Sequence, residues 1–168
     1  MFPDTLMIGI EIRKKVSQYA IEKLKYFQGT GIHYNLAFIR SNAMRFLPYY
    51  FKKGQLQKIF VMFPDPHFKK RKIKWRILNL NLLDQYAYFL EIGGYLYTIT
   101  DVEQVYLWIL DQFSKHPLFE PLTDQELQSD EIAKNFHNLS DEGKNVEKEG
   151  GKTFKAIYKR IEPKVIDS

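Results

Sequence analysis

One stretch, residues 63–76 (FPDPHFKKRKIKWR), places a carboxylate, a histidine and a dense run of cations within fourteen positions. Pro64 and Pro66 flank Asp65. Each proline holds its own φ and removes a backbone donor, so the turn is short and stiff and the carboxylate is held in one orientation. A carboxylate so held can accept two parallel N–H bonds, as from a guanine Watson–Crick edge. It can also act as a base or ligate a metal. A metal needs several partners, and only His67 is close in sequence. Asp65 can also be an ordinary turn residue. Lys69, Lys70, Arg71, Lys72, Lys74 and Arg76 follow, with Trp75 among them. Cations this dense repel one another unless an anion is near, and phosphates are the natural anion. The competing reading is a solvated helix N-terminus, but cations there oppose the helix dipole.

Weaker candidates stand at other element ends. Glu11 closes the apolar run TLMIGI. A carboxylate at a strand end can accept hydrogen bonds from ribose hydroxyls, or it can satisfy the dipole of the next helix. Asn42 precedes Ala43 at the start of a helical pattern. It can cap that helix, or meet a base edge beside the small alanine. Thr100 and Asp101 end the run YLYTIT. Ser140, Asp141 and Glu142 lie in an acidic, polar region. Such residues can close over a site, although a loop of this composition can be merely solvated.

The elements that must position these residues follow from hydrophobic period. Strands are expected at residues 5–10, 34–39, 58–63 and 95–100. Helices are expected at 14–27, 42–51, 73–90 and 102–115, the third ending at Gly93-Gly94. Residues 123–151 read as a short helix plus a mobile loop, and 153–161 as a final antiparallel strand. Alternating strands and helices imply an α/β protein with a parallel sheet covered on both faces, and ligands there bind beyond the carboxyl ends of the strands. The ends in question are those at Glu11, Asn42, Asp65 and Asp101.

Composition narrows the classes. The chain has 168 residues, 45% hydrophobic and 15% aromatic, with net charge +5. This suits a folded domain with an anionic partner. It has no cysteine, which excludes disulfides, thiolate metal sites and cysteine nucleophiles. No apolar run approaches the roughly 20 residues of a membrane span, and the N-terminus lacks the pattern of a signal peptide.

Several motifs together resemble the tRNA guanine-N(7) methyltransferases. They are GIEIR (9–13), SNAM (41–44), FPDPHFK (63–69), KWR (74–76), EIGGYLYTITDV (91–102), HPLFE (116–120) and EGGKTF (149–154). His67 inside the proline turn resembles the eukaryotic catalytic subunit, which works with a WD-repeat partner. The resemblance implies a Rossmann-like, class I S-adenosylmethionine-dependent fold. It implies a single domain over residues 1–163, incomplete at its N-terminus, and a tail at 164–168. The family's first strand and its glycine-rich loop, which wraps the methionine part of the cofactor, would lie upstream of FPDT. By resemblance, Glu11 and Arg13 hold the ribose, Asn42 and Ala43 meet the adenine, and Met62 lines the cofactor pocket. Asp65 is then the catalytic residue at the guanine. Ser140 and Glu142 belong near the cofactor, while His67, Lys69, Lys70, Arg71, Lys74, Arg76 and Asp101 belong with the tRNA. The resemblance further implies a nuclear location, possible cytoplasmic action, no metal and no membrane. Two positions depart from the family: Ile73 stands where histidine is usual, and Ser140 replaces threonine while keeping the hydroxyl. The alternative is a catalytically inactive RNA-binding relative, which the missing loop favours. Retained Glu11, Asn42 and Asp65 favour the enzyme.

Overall fold

The computed structural model describes residues 4–136 and 140–163; the expected tail at 164–168 lies outside the described residues. The chain forms two compact units, Met1–Tyr50 and Phe51–Ser168, each organised around its own strands.

In the first unit, β1 (Met7–Glu11) and β2 (Leu36–Arg40) run parallel, paired from Met7 with Leu36 to Glu11 with Arg40. A parallel pair needs a long crossover, which α1 (Lys14–Gly29) provides. Gly9 is required by close approach, since a Cβ there would stand 2.4 Å from the Phe38 ring. The helix α2 (Ala43–Tyr50) begins three residues after β2.

The second unit holds a four-stranded sheet in the order β3 (Leu56–Met62), β4 (Leu90–Thr100), β6 (Phe154–Arg160), β5 (Phe119–Pro121). The β3–β4 pair is parallel and the other two pairs are antiparallel. The antiparallel last strand is as expected from sequence. The three-residue β5 was too short to register as a period. The strand β4 is buried without a break from Leu96 to Thr100, as suits a strand covered on both faces. Tyr97 and Ile99, with Ile157 of β6, pack against Ile132, Ala133 and Phe136 on one face. Tyr158 stacks flat on Phe113 of α4 (Glu103–Ser114), with ring centroids 3.7 Å apart. The sheet of this unit is thus covered by helices on both faces, and burial of each large side chain contributes on the order of 1.5–3 kcal/mol.

Three expectations need correction. Gly93-Gly94 does not end a helix. It lies inside β4, where the pairing register shifts between Leu56 and Lys58, and Gly93 takes φ +85°. The long helix expected at 73–90 is two elements: a 3₁₀ helix, Lys70–Trp75, and α3, Leu80–Phe89. The break comes from Arg76, whose ψ of 134° is extended, and from Asn79. The Asn79 side chain accepts from Leu82 N and so caps α3. The mobile loop of 123–151 contains α5 (Asp124–Ser129), α6 (Glu131–Asn135) and α7 (Asp141–Lys148). Capping residues at Thr123, Asp130 and Ser140 start each one, and acidic residues occupy each first turn, where the dipole favours them. Residues 137–139 of that stretch lie outside the described residues.

Candidate active site and nucleic-acid interface

The candidate residues divide between the two units. In the first, Glu11 ends β1 and is gripped by Arg13. Arg13 N and Nε donate to Oε1 at 2.7 and 3.2 Å, and Nη2 to Oε2 at 3.1 Å. Burial works to raise the Glu11 carboxyl, but the Arg13 hydrogen bonds and charge outweigh it and hold the group below its ordinary value. It is therefore an ionised acceptor at neutral pH. Asn42 gives its carbonyl to Arg45 N and Phe46 N at the start of α2. Among the described residues no hydrogen bond engages its side-chain amide. Ala43 is the first residue of α2. A carboxylate at the end of one strand and an unengaged amide just past the other suit the hydroxyls and base edge of a nucleoside. None of the described strand-to-helix turns in this unit is glycine-rich: Ile12-Arg13 follows β1, and Ser41-Asn42 follows β2.

In the second unit, Met62 of β3 pairs with Ile99 of β4, so the turns after both strands leave the sheet side by side. The strand β6 enters at the same edge, with Phe154 opposite Thr100. Met62 and Phe63 pack against the Tyr97–Ile99 cluster. Phe63 N then donates to Ile99 O at 2.8 Å, which ties the start of the proline turn to β4. The Asp65 side chain is 72% exposed, and its Oδ1 accepts from His67 N at 3.1 Å. His67 Nδ1 lies 3.5 Å from the same oxygen. One carboxylate oxygen thus belongs to the turn, while Oδ2 has no partner among the described residues. After β4, Thr100 is buried and its Oγ1 accepts from Val102 N, while Asp101 faces solvent. Ser140 is the α7 cap, with Oγ accepting from Gly143 N at 3.0 Å, and Glu142 lies in that helix's first turn.

The cations separate into two sets. Lys69, Lys70, Arg71, Lys72 and Lys74 are exposed, and none forms an ion pair with a carboxylate among the described residues. Trp75, half exposed, lies beneath the Lys74 ammonium, 5.6 Å from ring centroid to Nζ. A solvated row of cations beside an exposed indole matches the needs of a phosphate backbone with unstacked bases. Arg76 does not belong to this row. It is 7% exposed, its Nε donates to Pro66 O at 2.8 Å, and its guanidinium carbon stands 4.7 Å over the Trp108 ring of α4. The expectation that Arg76 meets RNA is corrected on this geometry. The residues that follow it, Ile77 and buried Leu78, carry the chain into the core and draw Arg76 in with them. Sequence reasoning also missed Trp108, which carries no motif and sits in an ordinary helical period. Among the described residues no cluster of histidine and acidic side chains could hold a metal ion.

The profile of a family described as "Putative methyltransferase" matches residues 1–156. A tRNA (guanine-N(7)-)-methyltransferase of Xenopus laevis is 51% identical over 164 residues, covering 96% of this chain and 60% of the relative. That of Danio rerio is 49% identical, covering 96% and 68%, and that of Mus musculus 45% identical, covering 100% and 63%. The chain thus spans about three fifths of the Xenopus laevis relative's length. Among solved structures, an rRNA methylase from Streptococcus thermophilus aligns with TM-score 0.55 at 12% identity, over 94% of this chain and 74% of its own. The aminoglycoside resistance methyltransferase NpmB1 aligns with TM-score 0.52 at 16% identity, over 94% and 77%. At such identities the likeness establishes the fold alone, a Rossmann-like methyltransferase fold.

Proposed function

The chain belongs to the tRNA (guanine-N(7)-)-methyltransferase family, and from that premise we propose that the protein methylates nitrogen-7 of a guanine in the variable loop of tRNA. The observation that carries this reading is a rigid, solvent-facing carboxylate, Asp65, set directly beside five exposed cations without carboxylate partners.

S-adenosylmethionine, when bound, supplies the electrophilic methyl group. Glu11 and Arg13 would hold its ribose, and Asn42 with Ala43 its adenine. Met62 and the α7 residues Ser140 and Glu142 are the candidates for its remaining surroundings. The chain's own task is then to bring a guanine to the methyl and keep it there. N7 already carries a free lone pair, so no base has to remove a proton first, and positioning can supply most of the rate. Asp65 Oδ2 is available to accept from one of the guanine N1–H and N2–H donors, and Oδ1 keeps a second lone pair for the other. Because Oδ1 is tied to His67 N, the carboxylate is already oriented. As the N7 lone pair becomes the bond to the methyl carbon, whose bond to sulfur breaks with its electrons left on sulfur, positive charge spreads over the purine. A fixed carboxylate at the far edge stabilises that charge more in the transition state than in the ground state. The guanine must leave its stack, at a cost of a few kcal/mol. Contacts from Lys69, Lys70, Arg71 and Lys74 to phosphates offset part of this, with Asp101 at the adjacent strand end.

His67 in the proline turn, which resembles the eukaryotic catalytic subunit, is the ground for including a WD-repeat subunit as partner and action in the nucleus in this proposal. Full-length protein with that subunit is expected to move labelled methyl groups to tRNA, at a guanine that becomes cleavable as its N7-methyl form. RNA binding with no transfer by the wild type would instead leave an inactive RNA-binding relative.

A further inference from the structure

We infer that Arg76 and Trp108 form a brace that positions Asp65, and that Arg76 acts on catalysis through the proline turn and not through RNA. The inference rests on the proposed role of Asp65 at the guanine.

The turn is strained at both ends. Phe63 has φ +48° and His67 φ +41°, the left-handed region that non-glycine residues avoid. Each such residue is disfavoured and persists only where its surroundings over-determine it. At the Phe63 end the determinant is the bond to Ile99 O. At the His67 end, His67 N bonds to Asp65 itself, which cannot hold the turn against the rest of the protein. The external hold is Arg76, whose Nε donates to Pro66 O, the carbonyl immediately before His67.

Arg76 can do this because it is itself pinned three ways. Its guanidinium stacks on Trp108, its carbonyl accepts from Asn79 Nδ2 at 2.8 Å, and its backbone N–H closes the 3₁₀ helix onto Ile73 O. The brace therefore links the turn to the start of α3 and to the middle of α4. Pro64, Asp65, Arg76 and Trp108 border one narrow depression, so the stack lies directly behind the carboxylate. Lysine cannot replace this arrangement. It lacks the planar fork that stacks on indole while donating sideways to a carbonyl.

The test uses the full-length protein and its subunit, with Arg76→Lys, Trp108→Leu and Trp108→Phe. Arg76→Lys keeps the charge, so a phosphate contact would survive while the brace would not. The expected result is a kcat lowered about tenfold to a hundredfold, with KM for tRNA nearly unchanged. The slope of log affinity against log salt should equal the wild type's. Trp108→Leu should match Arg76→Lys, Trp108→Phe should restore most of the rate, and the double variant should be no worse than the worse single one. Amide exchange at His67 should accelerate in Arg76→Lys and Trp108→Leu. That readout needs no activity, so an inactive wild type would sink the proposed function while exchange still decides the brace. Undisturbed exchange at His67 would overturn the inference. So would a salt slope reduced by about one in Trp108-intact Arg76→Ala with kcat unchanged, which would make Arg76 a phosphate contact. If Arg76→Lys failed to fold, the Trp108 pair would give the same decision.

Discussion

The proline turn of residues 63–67 and the cationic segment of residues 69–75 are consecutive in the chain yet built on opposite plans. The turn is held at Phe63 by Ile99, at Pro66 by Arg76 and internally by Asp65. The segment is a single 3₁₀ helix with no buried residue and no side-chain cap. Under the proposed function, the difference matches what each would have to meet. A guanine edge is small and planar, so its acceptor gains from being oriented in advance. A phosphate backbone is a line of charge, and long solvated side chains can follow it without prior order. Lys74 and Arg76 show the divide most sharply, since two cations two positions apart end up on opposite sides of the surface.

The largest effect should come from removing the acceptor of the rigid region. Asp65→Ala is expected to lower methyl transfer about a hundredfold to a thousandfold. Its tRNA affinity should stay within about twofold, so the two regions would separate into rate and binding. Equal loss of both in filter binding and single-turnover assays would break the comparison. Next in size is the soft region. Replacing Lys69, Lys70 and Arg71 together with alanine should weaken tRNA binding, and should lessen the salt slope by about one per lost phosphate contact. The rate at saturating tRNA should hardly move. An unchanged slope would move the RNA surface elsewhere.

Asn79 tests the seam between the regions, because its Nδ2 reaches Lys74 O and Arg76 O while its Oδ1 caps α3. Asn79→Ala should cost about 1 kcal/mol of stability, seen as a melting point lower by a few degrees. No loss of stability would mean that the seam does not depend on the cap.

The smallest effect concerns cations that do have partners. Lys159 bonds Glu126 at 2.7 Å and Glu120 at 3.2 Å. The Lys159 hydrogen bond, with those of Thr123, holds the Glu126 carboxyl down at about 2, below its ordinary 4.5. The folded value is depressed, so the stabilisation is present above about pH 4.5 and is lost as pH falls from there toward 2. Glu126→Gln should flatten that part of the stability–pH curve only slightly, since the pair is solvent-screened.

Much of this was legible from residue types alone. Period and punctuation located most of the strands and helices of both units, and two prolines around an aspartate marked the candidate site, because these signals are local. The helix expected across residues 73–90 was not legible as broken, because Asn79 looks like any polar residue in a helical period until its side chain is seen to cap one helix and tie off the previous turn. The helices of 123–151 were under-read for a related reason: each is a turn or two long and depends on its cap more than on an apolar face.

What residue order settled was therefore chemical identity: a carboxylate between prolines, a run of cations beside it, and the set of motifs that places the chain in its family. Which of those cations faces solvent was settled in three dimensions. Charge and spacing are the same for Lys74 and Arg76, and only the packing of α4 brings Trp108 over one of them. A guanidinium gains from such a stack and from a nearby carbonyl, whereas an ammonium with neither stays in water. The feature that makes Asp65 rigid is thus a contact between residues 32 positions apart, Arg76 and Trp108, and no reading of neighbours along the chain contains it.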